Sequence, residues 1–184
     1  MKPICSLFVH SLAVCAILST SACAVRADAG TDPAVHDASV TLQRSTCFGN
    51  CPAYTVTMAA DGQIRFVGHS HVQTGAASDR ATPTRRANIF AALKQAGFDA
   101  MQPSYVSHDD GCETVMTDQP GIKITVTGSA GSKTVDFYLG CTGAVADAVR
   151  PRIRQLADSI DRQLDTARWI GKPAAPGAVD KPER

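Results

Sequence analysis

One segment indicates the fold of this chain most clearly: Ala53-Tyr54-Thr55-Val56-Thr57-Met58-Ala59-Ala60-Asp61-Gly62-Gln63-Ile64-Arg65-Phe66-Val67-Gly68. It contains two runs of β-forming residues, and Asp61-Gly62 between them is a strong signal for a hairpin turn. We therefore predict that the two runs are paired antiparallel strands.

The register of this hairpin follows from the positions of its apolar residues. A two-residue turn would pair Val56 with Val67 and would mix polar and apolar side chains on each face. A three-residue loop ending at a left-handed Gly62 pairs Val56 with Phe66 and Met58 with Ile64. We predict this second register, because it collects one apolar face: Tyr54, Val56, Met58, Ile64 and Phe66.

Alternating patterns predict three further strands. Residues 40–44 alternate apolar and polar side chains, which is typical of a half-buried strand. Residues 122–127 and 134–139 alternate in the same way around a polar turn and predict a second hairpin. Its predicted pairs are Ile122 with Leu139, Ile124 with Phe137 and Val126 with Val135.

One helix is predicted after each hairpin. Thr82-Pro83 supplies an N-cap and a first-turn proline, and Gly97 ends the first helix. The second has an apolar stripe at helical spacing: Val145, Val149, Ile153, Leu156, Ile160 and Leu164. Pro151 lies off this stripe and is expected to kink the helix or to open its main segment.

These elements predict an α+β fold with the order β-β-β-α-β-β-α. Each predicted hairpin has its apolar side chains on one face. This favours an antiparallel sheet of about five strands with two helices packed on that face. The other face is expected to stay open to solvent. Its predicted side chains are Thr55, Thr57, Arg65, Lys123, Thr125, Asp136 and Tyr138.

The composition fits one globular domain and excludes some partners. Among 184 residues, 44% are hydrophobic, and 18 Lys and Arg stand against 17 Asp and Glu. A near-neutral chain lacks the electrostatic signature of proteins that bind nucleic acid or anionic membranes. We expect no nucleic-acid partner.

The N-terminus predicts export. An apolar run from Ile4 to Leu18 follows Lys2 and is too short to span a bilayer, so residues 1–22 are predicted to be a signal peptide. Thr20-Ser21-Ala22-Cys23 resembles the bacterial lipobox, in which the cysteine carries the lipid. The alternative is cleavage by the general signal peptidase after Ala27-Asp28-Ala29, which would release a soluble protein.

Both interpretations place the domain on the periplasmic side of the bacterial cell envelope, either lipid-anchored in the outer membrane or soluble in the periplasm. Any membrane contact is then made only through the lipid anchor. The predicted organisation is a flexible tether over residues 23–38, a single α+β domain over residues 39–171 and a disordered tail over residues 172–184.

Four cysteines remain in the exported domain, and an oxidising compartment favours two disulfides. In an extended chain, Cys47 and Cys51 would lie about 13 Å apart, beyond the roughly 7 Å between Cα atoms that a disulfide tolerates, so Gly49-Asn50 must turn. Cys141 continues the inward side of the second hairpin, where the loop with Cys112 must pass. We predict the pairs Cys47 with Cys51 and Cys112 with Cys141.

A resemblance supports this organisation. Cys47-Phe48-Gly49-Asn50-Cys51-Pro52-Ala53-Tyr54, followed by Asp61-Gly62, resembles the opening signature of a family of bacterial envelope proteins known as domain of unknown function 6438. Thr117-Asp118-Gln119-Pro120 and a long terminal helix ending near Trp169 are also similar to that family. The resemblance covers most of residues 40–170. It implies an exported, often lipid-anchored, small α+β domain, and it implies no catalytic or binding residues.

The most specific alternative to structural disulfides is a metal site. Cys-x-x-x-Cys-Pro also occurs in copper chaperones, where two thiolates and a distant histidine bind copper. The candidate partners here are His69, His71 and His108. However, those chaperones have a thioredoxin-like fold, and the predicted register puts His69 and His71 on the open face. We interpret them as solvated residues.

Three other patterns are also better explained by structure than by a functional site. His108-Asp109-Asp110-Gly111-Cys112-Glu113 fits no calcium loop and is interpreted as a polar turn. Residues 128–134 lack the Gly-Lys step of a phosphate loop and are interpreted as a hairpin turn. The charged residues of the last helix are interpreted as a solvated face: Arg150, Arg152, Arg154, Arg162, Asp147, Asp158, Asp161 and Asp165.

No complete catalytic constellation is recognisable, so the sequence predicts neither catalytic residues nor a cofactor. We expect a non-catalytic binding or interaction module, whose partner is an envelope protein or a small ligand. It would bind through the open sheet face or the Cys47 to Pro52 turn. The alternative is a periplasmic protein that uses Cys47 and Cys51 for thiol-redox chemistry or for binding copper or zinc.

Overall fold

The first hairpin forms with the predicted register. In the computed structural model, which describes residues 37–171, strands β2 (Ala53–Met58) and β3 (Gln63–Ser70) pair Val56 with Phe66 and Met58 with Ile64. Gly62 has a φ of 85° in the loop, a conformation that glycine adopts at little cost. The predicted signal peptide, Cys23, most of the tether and the tail lie outside the described residues.

The main sheet places the first strand at its centre. Strand β1 (Ser39–Arg44) lies between β2 and a later strand, which is labelled β7 by chain order (Gly121–Gly128). Strand β8 (Gly131–Tyr138) follows on the far side of β7, and all these pairs are antiparallel. The predicted α+β class with a largely antiparallel sheet is confirmed.

The sheet has seven strands rather than the predicted five or so. The two additional strands form its edges: β4 (Ala76–Arg80) pairs with β3, and the short β5 (Ser104–Tyr105) runs parallel to β8. A separate two-stranded ribbon joins β6 (Thr114–Val115) to β9 (Cys141–Thr142). These short segments lack a clear alternating pattern, because pairing with a neighbour rather than local propensity makes them strands.

The second hairpin forms, but its predicted register is wrong by two residues. Ile124 pairs with Val135 and Ile122 with Phe137, because pairing continues to Gly128 and Gly131 and leaves a turn of only two residues. Since side chains alternate with a period of two, this shift keeps the apolar side chains on the predicted face. Leu139 lies beyond the last pair, and its backbone N–H donates to Pro120 O at 2.9 Å.

Both long helices form close to their predicted positions. Helix α1 (Pro83–Ala96) starts at the Thr82 cap, whose hydroxyl accepts from Arg85 N at 3.2 Å, and ends at Gly97 with a φ of 66°. Helix α2 (Ala144–Leu164) continues through Pro151, which therefore does not open it. A four-residue helix, α3 (Ala167–Ile170), carries the buried Trp169.

One face of the main sheet and both long helices share the hydrophobic core. Strands contribute completely buried side chains such as Val40, Val56 and Phe137, and α2 contributes most of its predicted stripe. Val145 is the exception, because it remains 44% exposed at the start of α2. The opposite face, called the open face below, carries hydroxyl pairs across neighbouring strands, such as Thr125 with Thr134 at 2.9 Å.

Candidate functional site

The segment between β1 and β2 is closed by a disulfide. Cys47 and Cys51 are bonded, with their Cα atoms 5.6 Å apart, which confirms the predicted pair. Gly49 has a φ of 135° and lets the chain reverse within four residues. We call residues 47–51 the clip. Both of its cysteines are partly exposed, so the clip lies at the surface of the domain.

Phe48 stands at the surface of the clip. Its side chain is 87% exposed, the highest value among the large apolar side chains of residues 37–171 that remain exposed. The Phe48 backbone N–H donates to Asp118 O at 3.1 Å. An aromatic ring is therefore held in water on a turn that a covalent bond and a hydrogen bond restrain.

The clip lies against residues 116–121, a segment far away in sequence. Gly121 N donates to Ser45 Oγ at 2.6 Å and Ser45 N donates to Gly121 O at 3.1 Å. Asp118 itself has a φ of 67°, and Gln119 N donates to Tyr138 Oη at 3.0 Å. The two segments that carry the resemblance thus meet in space, which spacing along the chain did not predict.

A second exposed apolar side chain belongs to this segment. Met116, two residues before Asp118, is 47% exposed, and its backbone N–H donates to Gly140 O at 2.8 Å. A Cβ on Gly140 would lie 2.1 Å from Met116 O, so only glycine permits this close approach. Phe48 is thus hydrogen-bonded to the segment that carries Met116, and we call these two exposed apolar residues, Phe48 and Met116, the apolar rim.

An open depression lies beside the clip on the open face. It is lined by Gln43, Ser45, Gly121, Lys123 and Asp136. Lys123 Nζ and Asp136 Oδ2 form an ion pair at 2.6 Å, so the charges in the depression cancel. Its chemistry suits polar contacts around the apolar rim rather than the binding of a strongly charged group.

A polar cluster anchors the two strands that lead into and out of the clip. Asp161 on α2 accepts from Arg44 Nε at 2.8 Å, from Tyr54 Oη at 2.7 Å and from Thr166 Oγ1 at 2.8 Å. Arg44 also pairs with Asp158 at 2.8 Å. Arg44 is the last residue of β1, and Tyr54 is the second of β2. We call this cluster the clamp.

Burial and charge shift the titration of the clamp. Burial, followed by the neighbouring Asp161 carboxylate, raises the pKa of Tyr54 well above its usual range. Burial is the largest single effect on Arg44 and disfavours its charged form, but the attraction of Asp161 and Tyr54 and the hydrogen bonds to Asp161 and Asp158 together outweigh it and raise the pKa of Arg44. The charged guanidinium and the neutral phenol therefore persist across the physiological range of pH.

The clamp corrects in part the prediction that the charged residues of the last helix form a solvated face, because most of them, such as Asp147 and Asp158, are exposed but two turn inward. Asp161 is 17% exposed and takes part in the clamp. Arg150 also turns inward, where it donates to the backbone oxygens of Leu139 and Cys141. A signal for the clamp is present in the sequence, because Arg44 continues the inward parity of Val40 and Leu42 and a buried charge needs a partner.

An aromatic stack continues inward from the clamp. The Tyr54 and Phe66 rings lie 5.3 Å apart between centroids, and the Phe66 and Trp169 rings lie 5.1 Å apart. Trp169 O accepts from Thr74 N at 3.0 Å, which ties the loop between β3 and β4 to α3. Tyr54 and Trp169, two residues that carry the resemblance, therefore belong to one packing unit.

The second disulfide lies in the interior. Cys112 and Cys141 are bonded with a Cα separation of 5.2 Å, as predicted, and they are 4% and 0% exposed. Val115 pairs with Cys141 in the ribbon, so the loop that contains Cys112 crosses the open end of the second hairpin. This buried disulfide joins the loop that contains Cys112 to β9, and we call it the staple.

The turn before Cys112 is polar, as predicted. Asp110 Oδ2 accepts from the backbone N–H groups of Val106 and Ser107 at 3.1 and 3.0 Å and from the hydroxyls of Ser104 and Ser107 at 3.0 and 2.9 Å. These hydrogen bonds, that of Val106 N first, lower the pKa of Asp110. The carboxylate organises a structural turn.

The three histidines that are candidate metal ligands lie at the surface. His69 Nε2 and Thr55 Oγ1 are 3.0 Å apart, and His69 and His71 are both exposed, as predicted. His108 Nδ1 lies 2.8 Å from Cys112 O. Within residues 37–171, no three His, Cys, Asp or Glu side chains converge on one point. The structure does not bring the histidines to the clip.

Comparison with known proteins gives a family and no curated relative. A family model described as Domain of unknown function (DUF6438) matches residues 38–164, more than two thirds of the chain. No curated protein matches the chain significantly. The match includes the clip, residues 116–121 and all of α2.

Proposed function

We propose that this chain, which belongs to the family described as Domain of unknown function (DUF6438), is an exported module of the bacterial cell envelope that binds a partner protein through the clip. One observation carries the proposal: Phe48 is 87% exposed on a turn that a disulfide restrains. Aromatic residues that fill a partner's pocket commonly supply most of the binding energy at protein interfaces.

The restraint on the clip supports a role in binding. Ordering a flexible loop at an interface costs free energy, and a loop that is already fixed avoids much of this cost. Met116 is a second exposed apolar side chain, on the segment that binds the Phe48 backbone, and the depression beside Ser45 offers polar contacts nearby. An apolar centre with a polar margin is the usual composition of protein interfaces.

Export is part of the proposal. Two disulfides within residues 37–171 are compatible with an oxidising compartment. Over the described part of the chain, no helix is long and apolar enough to cross a membrane. Residues 1–22 would direct export, and Cys23 would carry a lipid that holds the domain at the periplasmic face of the outer membrane.

A photo-cross-linking amino acid at position 48 or 116 tests the binding role in cells that produce the full chain. We expect the same partner protein to be captured from both positions. Position 129, in the turn at the opposite end of the β7–β8 hairpin, is the matched control and should not capture it. Equal capture from all three positions, or none from 48 and 116, would overturn the proposal.

Phe48→Ala measures the contribution of the aromatic ring. With the cross-linker at position 116, F48A should reduce capture about thirtyfold, the effect of roughly 2 kcal/mol at an interface hot spot. Val145→Ala removes another partly exposed apolar side chain, at the start of α2, and should leave capture unchanged. Because Phe48 is exposed, the variant should keep the melting temperature of the parent.

A second candidate function uses the clip sulfurs themselves. Both cysteines of the clip reach the surface, which suits thiol-redox chemistry or, when they are reduced, the binding of copper or zinc. Thiol titration of the purified mature domain, with and without reductant, separates the two functions. Free Cys47 and Cys51 in the native protein, or a metal that co-purifies with it, would favour this second function over the first.

A further inference from the structure

We propose that the Cys47–Cys51 disulfide is a redox gate on the clip: its reduction releases Phe48 from the fixed turn and weakens partner binding while the fold stays intact. The inference rests on the proposed binding function, because the gate acts on the same surface. It is supported by accessibility, by the few other restraints on the clip and by its insulation from the core.

The two disulfides differ in accessibility. Cys47 and Cys51 are both partly exposed, whereas Cys112 and Cys141 are buried at 4% and 0%. Thiol–disulfide exchange requires a thiolate to reach a sulfur atom of the disulfide. A reductant in solution can therefore approach the clip in the folded protein. It cannot reach the buried Cys112 and Cys141 until the ribbon opens.

Few backbone hydrogen bonds hold the clip. In the described part of the chain, Phe48 N to Asp118 O is the only hydrogen bond between backbone groups that involves residues 46–52 outside the regular strands. Gly49 and Asn50 between the cysteines are exposed. Once the disulfide opens, one hydrogen bond has to oppose the conformational entropy of about five residues, each worth roughly 1–2 kcal/mol.

The clamp keeps the core in place when the clip opens. Arg44 and Tyr54 face each other in the β1–β2 ladder, three residues before and three residues after the cysteines. Both side chains bind Asp161 on α2. The ends of the loop therefore stay fixed when its middle opens, and Cys112–Cys141 continues to staple the fold.

The chemistry balances with a dithiol reductant. One of its thiolates attacks a sulfur of the Cys47–Cys51 bond, which forms a mixed disulfide and releases the other cysteine as a thiolate. The second thiol of the reductant then displaces the remaining cysteine. The clip gains two electrons and two protons and becomes two thiols, and the dithiol becomes a disulfide.

Selective alkylation tests the first half of the gate. The full mature chain is treated with dithiothreitol without denaturant, labelled with a maleimide and digested for mass spectrometry. Cys47 and Cys51 should be labelled roughly tenfold faster or more than Cys112 and Cys141, and the circular dichroism spectrum should not change. Equal labelling of all four cysteines, or none before unfolding, would overturn the gate.

Partner capture tests the second half. With the cross-linker at position 116, capture should fall at least about tenfold when the clip is reduced, which corresponds to roughly 1.4 kcal/mol. The double variant C47S/C51S should capture as weakly as the reduced chain, and reductant should not change its yield further. Equal capture before and after reduction would overturn the gate and leave the proposed binding function standing. Absence of capture in both states would overturn the binding function, and with it the gate.

Discussion

At the scale of single residues, Asp110 shows how one carboxylate organises a turn. Its Oδ2 atom accepts two backbone and two hydroxyl hydrogen bonds, and these lower its pKa below the ordinary value of 3.8. A carboxyl group whose pKa is lower in the folded state stabilises the fold fully above the unfolded value. This stabilisation is lost as the pH falls through the folded pKa.

We therefore predict that Asp110→Asn lowers the melting temperature at pH 7 by a few degrees. The difference from the parent should shrink as the pH falls below about 3.8, because the parent carboxylate then becomes protonated. Asp109→Asn, at the exposed neighbouring position, is the control and should have little effect at either pH. A difference for D110N that stays constant down to pH 2 would contradict the assigned role of the charge.

Asp161 is a second residue whose contribution to stability depends on its neighbours. It accepts from Arg44, Tyr54 and Thr166, whereas Asp158 is 58% exposed and pairs with Arg44 alone among residues 37–171. We predict that Asp161→Asn lowers the free energy of unfolding by about 2–3 kcal/mol, because it leaves a largely buried Arg44 without its main partner. Asp158→Asn should cost less than about 1 kcal/mol.

Urea denaturation measures both variants. A similar loss for the two would show that the clamp is no stronger than a surface ion pair. Both substitutions remove one carboxylate from the same helix. A difference between their effects on the free energy of unfolding therefore reports the surroundings of the two carboxylates.

At the scale of elements, the two disulfides are expected to stabilise the fold unequally. In the loop-entropy model, the closed loop from Cys47 to Cys51 contributes about 2 kcal/mol and the loop from Cys112 to Cys141 about 3.6 kcal/mol. C112S/C141S should therefore lower the melting temperature by about 10 °C, and C47S/C51S by no more than about half as much. Differential scanning calorimetry checks this, and equal losses would contradict the division into staple and clip.

The elements also show what the sequence can and cannot predict. Each hairpin strand has an alternating pattern, so its faces were predictable, and the loop ending at Gly62 had only one register with a clean apolar face. The second hairpin has two registers that differ by two residues and give the same faces, so the pattern could not choose between them. In the structure, Gly128 pairs with Gly131 across a two-residue turn, and Gly131 has a φ of 125°, which glycine adopts at little cost.

At the scale of the whole molecule, the site combines segments whose proximity only the fold determines. The disulfide pairs were predictable because parity and reach restrict which cysteines can meet. The contact of Phe48 with Asp118 was not, because it depends on β1 pairing with β7 across the centre of the sheet. Sequence periodicity describes each strand separately and contains no information on which non-neighbouring strands pair.

The last prediction concerns where the whole molecule resides. If Cys23 carries a lipid, the full chain produced in a bacterium should fractionate with membranes, and mass spectrometry should find Cys23 as a lipidated first residue. Cys23→Ser should release the protein into the soluble periplasmic fraction, whereas Cys15→Ser, within the apolar run, should leave it with the membranes. A soluble product that begins at Gly30 would instead support the general signal peptidase. A cytosolic product that retains Met1, with all four domain cysteines reactive toward a thiol reagent, would contradict export itself, because the disulfides depend on an oxidising compartment.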